Sequence, residues 1–248
     1  MTRNWLLLRG WSREQRHWGE FPERMRQRIP GGRVACLDLP GVGEARDRSP
    51  KTRVPDIVDD LRSRFEPDPS ESWGVLGVSF GGMLALDWAA RYPLDFAAVA
   101  VSNTSSRGIG TTAERLHPRN VGTIARVAAA QDPRARERLI VSISSNAGAD
   151  IRERVALEWA KIAAESPVSL WTSMTQLWAA SRFEAPVSVS ARVLVMASDA
   201  DRLVSSACAR RLADRLGAAL ATHPSAGHDL PLDDPSWVAD RVAEFAHA

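Results

Sequence analysis

Ser79 stands in the run Gly77-Val78-Ser79-Phe80-Gly81, followed at once by Gly82. Before it lies the apolar stretch WGVLGV, with the composition of a short buried strand. After it comes MLALDWAA, with the composition of a helix. A serine at a strand-to-helix turn between small residues suits nucleophilic chemistry. The small neighbours let strand and helix approach, and the strained turn lifts the hydroxyl above the sheet. The N–H of Phe80, at the helix start, then faces an anionic intermediate. The plainer alternative is a helix-capping serine in a glycine-rich turn. A dinucleotide-binding loop fits poorly, because Gly74, Gly77 and Gly81 do not make G-x-G-x-x-G and no suitably placed acid follows the next strand.

A serine hydroxyl needs a base to take its proton. Of the five histidines, His17, His117, His223, His228 and His247, the best placed is His228. It lies in SAGHDLPLDDP, a polar loop between the last expected strand and the last expected helix, and such loops are where an α/β sheet displays its sites. A buried carboxylate should orient the imidazole. The stretch DADRLV offers Asp199 and Asp201 after the strand ARVLVMAS; either could instead be a turn former.

These residues need a scaffold. Short apolar runs at Asn4 to Leu8, Arg33 to Asp38, Ser72 to Val78, Phe96 to Ser102, Ala191 to Ser198 and Ala218 to His223 read as strands buried on both faces, as in a parallel sheet. Between them, Pro55 to Arg64, Phe80 to Arg91, Ser206 to Leu216 and Pro235 to Phe245 read as helices. The alternation predicts a doubly wound α/β fold. Residues 1–110 and 187–248 form its core. The segment 111–186 breaks the rhythm with helix-like stretches only and is expected to form a lid. Within it Asp150 is a candidate cap for IRERVALEWAKIAAE, and Ser166 with Pro167 is expected to open a second helix. Trp171 and Trp178 are seven apart, so they share a helical face; with Trp159 they are expected either to glue lid to core or, for at least one of Trp171 and Trp178, to line an acyl pocket. The lid arginines Arg115, Arg119, Arg126, Arg134, Arg136 and Arg138 read as a solvated face, or as a contact for an acidic carrier or a coenzyme A phosphate.

Composition narrows the function classes. The chain has 248 residues, 44% hydrophobic and 25% charged, with a net charge of +2, an ordinary globular balance. No polybasic run points to nucleic acid. No segment reaches the roughly 20 apolar residues needed to cross a bilayer, and the N-terminal apolar run is too short for a signal peptide, so a cytoplasmic protein is expected. Cys36 and Cys208 are the only cysteines and have no metal-ligand spacing.

Together, LLLRGW, LDLPGVG, GVSFGG, DADRLV and AGHDLPLDDP resemble the α/β-hydrolase superfamily, in particular its small lidded esterases of the pimeloyl-acyl-carrier-protein methyl ester esterase type. The resemblance implies an α/β-hydrolase fold with a sheet of about six strands, since the chain starts at the strand that carries the oxyanion loop. It implies a catalytic triad of Ser79, Asp201 and His228, because in the family the acid precedes residues like RLV. Family members often carry His-Gly-X after the first strand. Here the stretch is Arg9-Gly10-Trp11, so the N–H of Trp11 would join that of Phe80 in an oxyanion hole. Arg9 departs from the pattern; it would meet a substrate carboxylate or phosphate at the mouth, or else pair with a nearby acid. The implied reaction is hydrolysis of an ester or thioester of a small to medium acyl substrate through an acyl-enzyme, with no metal or organic cofactor. Carbon–carbon bond cleavage and a ligand-binding protein without turnover are the alternatives. An aspartate nucleophile, as in dehalogenase and epoxide-hydrolase members, is disfavoured by Ser79.

Overall fold

The computed structural model describes residues 4–67 and 70–247. Six strands, β1 (Asn4–Leu8), β2 (Val34–Cys36), β3 (Trp73–Val78), β4 (Ala98–Ser102), β5 (Arg192–Ser198) and β6 (Ala219–His223), form one parallel sheet in the order β2-β1-β3-β4-β5-β6. Side chains alternate across it as the period of a strand requires. Leu6, Leu8, Val75, Val99, Val101, Val193 and Val195 enter one core; Trp5, Leu7, Leu76, Val78, Ala100, Leu194 and Met196 enter the other. The first core is shared with α2 (Val54–Arg62), α3 (Phe80–Arg91) and α9 (Ser206–Leu216), named in chain order. The second is shared with α1 (Phe21–Arg28) and α11 (Pro235–His247), which contact each other. This is a doubly wound α/β architecture.

The central strands are buried apart from Arg192 at the start of β5, but the two edges are not. β2 is half-buried along its length and β6 is mostly exposed or half-buried. Their apolar runs look like those of the interior, yet an edge strand has a neighbour on one side only. Helix α1 is absent from the expectations. FPERMRQR is rich in arginine, and only Phe21 and Met25 are buried, with Ile29 just beyond. That spacing of four residues was its one legible signal.

Between β4 and β5 the chain runs through α4 (Thr112–Arg115), α5 (Val121–Ala129), α6 (Pro133–Ser144), α7 (Ala149–Glu165) and α8 (Leu170–Arg182), with no strand among them. Two caps differ from expectation. Gly148, not Asp150, occupies the cap of α7, and Asp150 sits inside the first turn, where its charge favours the helix dipole. Helix α8 starts at Leu170, capped by Ser169, whose hydroxyl accepts from the Thr172 N–H at 3.0 Å. A last short helix, α10 (Leu230–Asp233), precedes α11. No helix of the described residues is long and apolar enough to cross a membrane.

Candidate active site

The chain leaves β1 toward β2, then returns to the other side of β1 to form β3. The two loops that follow β1 and β3 therefore diverge, and the carboxyl ends of these strands make a crevice. Ser79 follows β3 directly, and Gly10 and Trp11 follow β1. Ser79 has φ 54° and ψ −112°, a region that L-residues avoid, at a cost of order 1–3 kcal/mol. Its N–H donates to the Ser102 carbonyl at 2.8 Å, and the Thr104 hydroxyl donates to its carbonyl at 3.0 Å. Glycine is needed twice here. A Cβ on Gly77 would collide with the Gly81 carbonyl, and one on Gly81 would collide with the Leu8 carbonyl. The elbow is thus pressed against both β1 and its own helix.

His228 lies in the loop between β6 and α10, buried with 6% exposure. Its Nδ1–H donates to Asp201 Oδ2 at 2.7 Å, since a carboxylate can only accept. The other carboxylate oxygen, Oδ1, accepts from the N–H groups of Leu203 (2.7 Å) and Val204 (3.0 Å). That leaves His228 Nε2 as the nitrogen free to take a proton. Burial disfavours the imidazolium, but the Asp201 charge and its hydrogen bond outweigh this, so the His228 pKa lies above the ordinary 6.5. Asp199 points elsewhere, pairing with Arg210 at 2.6 Å near the surface. In this state the Ser79 hydroxyl has no hydrogen-bond partner among the described residues.

Asn103, which the sequence reading did not single out, ties the pieces together. It follows β4 with φ 48°, a left-handed conformation that asparagine tolerates. Its side-chain amide donates to the carbonyls of His228 (2.8 Å) and Gly227 (3.2 Å), and its Oδ1 accepts from the Ser198 N–H at 2.8 Å. One buried side chain thereby joins the ends of β4 and β5 to the histidine loop, one residue from the carbonyl that holds the Ser79 N–H. A polar residue at the carboxyl end of an apolar strand was the available signal.

The helical insertion is fastened to the same loops. Asn146, between α6 and α7, donates from its side chain to the carbonyls of Ala200 (3.0 Å) and Ser225 (3.1 Å). The N–H of Asp229 donates to the Ser144 carbonyl at 2.8 Å. On the other flank, Gln176 of α8 accepts from the Ser12 N–H at 2.8 Å, and the Trp11 indole donates to the Ser173 carbonyl at 2.9 Å. The loop after β1 is therefore fixed in place despite the departure at Arg9. The backbone N–H groups of Trp11 and Phe80 donate to no carbonyl among the described residues. Both residues line, with Ser79, an apolar cavity of about 290 Å³. Its walls include Met83, Leu116, Ile124, Val127, Ile140 and Leu177. No group of three or more His, Cys, Asp or Glu among the described residues is arranged to hold a metal ion.

A sequence profile described as "Alpha/beta hydrolase family" matches residues 5–241. The chain belongs to that family. A stretch of 102 residues is 34% identical to the pimeloyl-[acyl-carrier protein] methyl ester esterase of Chromobacterium violaceum, covering 41% of this chain and 37% of that relative. The match thus spans little more than a third of the curated relative. Solved structures of similar fold include the esterase RhEst1 from a Rhodococcus species (TM-score 0.74, 16% identity, 100% of this chain and 91% of that one). The enol-lactonase from Burkholderia xenovorans is comparable (TM-score 0.70, 19% identity, 100% of this chain and 92% of that one).

Of the two roles expected of Arg9, the structure of this α/β hydrolase shows the pair with an acid, and it corrects the expected substrate contacts of Arg9, Trp171 and Trp178. Arg9 is 4% exposed and does not line the cavity. Its guanidinium makes a two-pronged pair with Asp229, at 2.6 and 3.1 Å, and lies 4.7 Å from the Trp18 ring. The loop that carries Trp11 is thus bolted to the residue beside His228. Trp171 and Trp178 share a face of α8, as their spacing predicts, but that face is turned outward, leaving them 67% and 55% exposed. Neither lines the cavity with Ser79; Trp178 instead borders a separate cavity with Arg53, Val54 and Pro55 of the core. Leu177, their neighbour, faces the cavity. Trp159 of α7 also joins insertion to core, 4.4 Å from the Arg13 guanidinium and edge-on to His17.

The Arg9–Asp229 pair makes a stability prediction. Arg9→Met is expected to lower unfolding free energy by about 3–5 kcal/mol, because it leaves a buried carboxylate without its partner. The double replacement with Asp229→Leu should recover most of that loss. Denaturant unfolding of the three proteins checks it; a loss below about 1 kcal/mol in the single variant would contradict the pairing.

Proposed function

We propose that this α/β hydrolase is a serine hydrolase that cleaves a carboxylic ester or thioester of a small to medium acyl substrate through a covalent acyl-enzyme. The observation that carries the reading is one apolar cavity lined by Ser79, Trp11 and Phe80, the last two with backbone N–H groups that donate to no carbonyl among the described residues, and the Asp201–His228 pair tied to the same strand ends. Ser79 Oγ attacks the carbonyl carbon while His228 Nε2 takes its proton. The oxygen of the tetrahedral intermediate takes the N–H groups of Trp11 and Phe80, an effect worth roughly 3–4 kcal/mol per donor in comparable sites. Collapse breaks the bond to the leaving alcohol or thiol, which receives the proton from His228. Water, deprotonated by His228, then attacks the acyl-enzyme, and its collapse frees the acid and restores the Ser79 hydroxyl. The apolar walls keep bulk water from the ester and strengthen each of these interactions.

A fluorophosphonate probe followed by peptide mapping, together with a panel of esters and thioesters, tests this reading. Label on Ser79 and turnover of at least one ester are expected; label elsewhere would overturn it. The pH profile is a second check. The base must be neutral and its pKa lies above 6.5, so kcat/KM should rise with pH through an inflection above that value. His17 will not contribute, because burial and the charge of Arg13 hold its pKa well below the usual value. A rate that is flat or falling from about pH 5 to 9 would contradict His228 as the base.

A further inference from the structure

Among the described residues lining the cavity that holds Ser79, Arg115 is the one that carries a charge. Its surroundings are unusual for an arginine. Nη1 donates to the Ser181 carbonyl at 2.9 Å and Nη2 to the Ala180 carbonyl at 2.6 Å, both at the end of α8. No carboxylate pairs with it among the described residues. The adjacent acid, Glu114, is taken by Arg211 at 2.7 Å, and Glu184 lies beside Arg107. The buried Nε–H has no acceptor among the described residues. Burial, with a further contribution from the charge of Arg107, pushes the Arg115 pKa below the usual arginine range, as expected of a cation without a counter-ion.

The position within the cavity is also informative. Ala180 and Ser181, whose carbonyls hold the guanidinium, line the same cavity, as does Thr112. Thr112 and Ser181 are exposed, while Met83, Phe80, Val127 and Val204 are buried. The cavity thus has a polar, open rim around Arg115 and an apolar interior. Two backbone carbonyls orient the guanidinium but do not neutralise it, and a guanidinium presents five donors in a fixed fork. A permanent charge in apolar surroundings is costly unless paired.

We infer that Arg115 selects the substrate, and that the preferred ester carries a carboxylate at the end that lies at the cavity rim. The inference rests on the ester-hydrolase reading of Ser79 and adds the substrate class to it. An oxyanion placed there completes the coordination of Arg115, and the hydrocarbon between carboxylate and ester fills the apolar interior. The carboxylate belongs either to the acyl part, as in a monoester of a dicarboxylic acid, or to the alcohol part, as in an acylated hydroxy acid. Both present the same chemistry to the guanidinium.

The test compares, at low and high salt, a monoethyl ester of a dicarboxylic acid, the same ester with a carboxamide in place of the acid, and an acyl ester of a hydroxy acid with its own carboxamide counterpart. For wild-type protein, kcat/KM for one of the two acids is expected to exceed that of its amide by tenfold or more. The advantage should reside in KM and shrink as salt screens the charge. The pair that shows it assigns the arm. In Arg115→Gln the ratio should fall to about one, and in Arg115→Lys, which keeps the charge but not the fork, part of it should remain. Acid-to-amide ratios near one in the wild type for both pairs, or a ratio retained in Arg115→Gln, would overturn the inference while leaving ester hydrolysis standing. Calorimetric binding of the same compounds to Ser79→Ala separates the two failures. If no ester is turned over, the serine-hydrolase reading falls. The anion site then stands or falls on whether the acid binds at least tenfold tighter than its amide and loses that advantage when Arg115→Gln is added.

Discussion

Replacing Ser79 with alanine is expected to lower kcat by on the order of 10⁶-fold, the scale found when the nucleophile of a serine triad is removed. Labelling by a fluorophosphonate should vanish with it. The change should leave the fold in place, because alanine and serine meet the same constraint at φ 54° and the Ser79 hydroxyl makes no hydrogen bond among the described residues. Glycine at this position offers a control. It removes the same hydroxyl but relieves the left-handed strain, so Ser79→Gly should be inactive and more stable than Ser79→Ala by about 1 kcal/mol. Rate measurements, intact-mass labelling and denaturant curves on the three proteins decide it. An alanine variant with a tenth or more of wild-type activity would end the assignment of Ser79 as nucleophile.

Asp201→Asn is expected to lower kcat by about 10⁴-fold, and Asp199→Asn by less than about threefold. The carboxylate of Asp201 accepts from Leu203 and Val204 through one oxygen and from His228 through the other. In an asparagine, the oxygen would stay with the two N–H donors and the NH₂ would face the imidazole. An NH₂ donates to Nδ1, so the ring proton would move to Nε2, the atom that must accept from Ser79. Geometry would survive while the base is lost. Asp199 lacks any contact with His228, and its pair with Arg210 is exposed enough to contribute little. Activity ratios for the two variants at matched pH provide the measurement; a larger loss at Asp199 would reverse the roles.

Much of this protein is legible in its order of residues. A run such as WGVLGV followed by GVSFGG identifies a strand, a tight turn and a helix from neighbours alone, since small residues and apolar period are local properties. The same holds for the parallel core: Leu6 and Leu8 on one face and Trp5 and Leu7 on the other follow from a period of two. His228 in a polar loop after the last strand was found the same way.

What the tertiary structure alone decided are the directions and partners of side chains whose neighbours lie far along the chain. Arg9 meets Asp229 across 220 positions, so nothing near Arg9 announces that it is buried and paired rather than offered to substrate. Asn103 acquires its role from three separate strand ends and loops. Helix α8 is the sharpest case. Periodicity places Trp171 and Trp178 together, with Leu170 and Met174 close by, but a period says which residues share a face and not which way that face turns. Here the buried face carries Thr172, Ser173, Thr175 and Gln176, held inward by hydrogen bonds of Ser173 and Gln176 to Trp11 and Ser12. The loop after β1 carries donors that burial would otherwise leave without acceptors, and satisfying them orients the helix against its own apolar pattern.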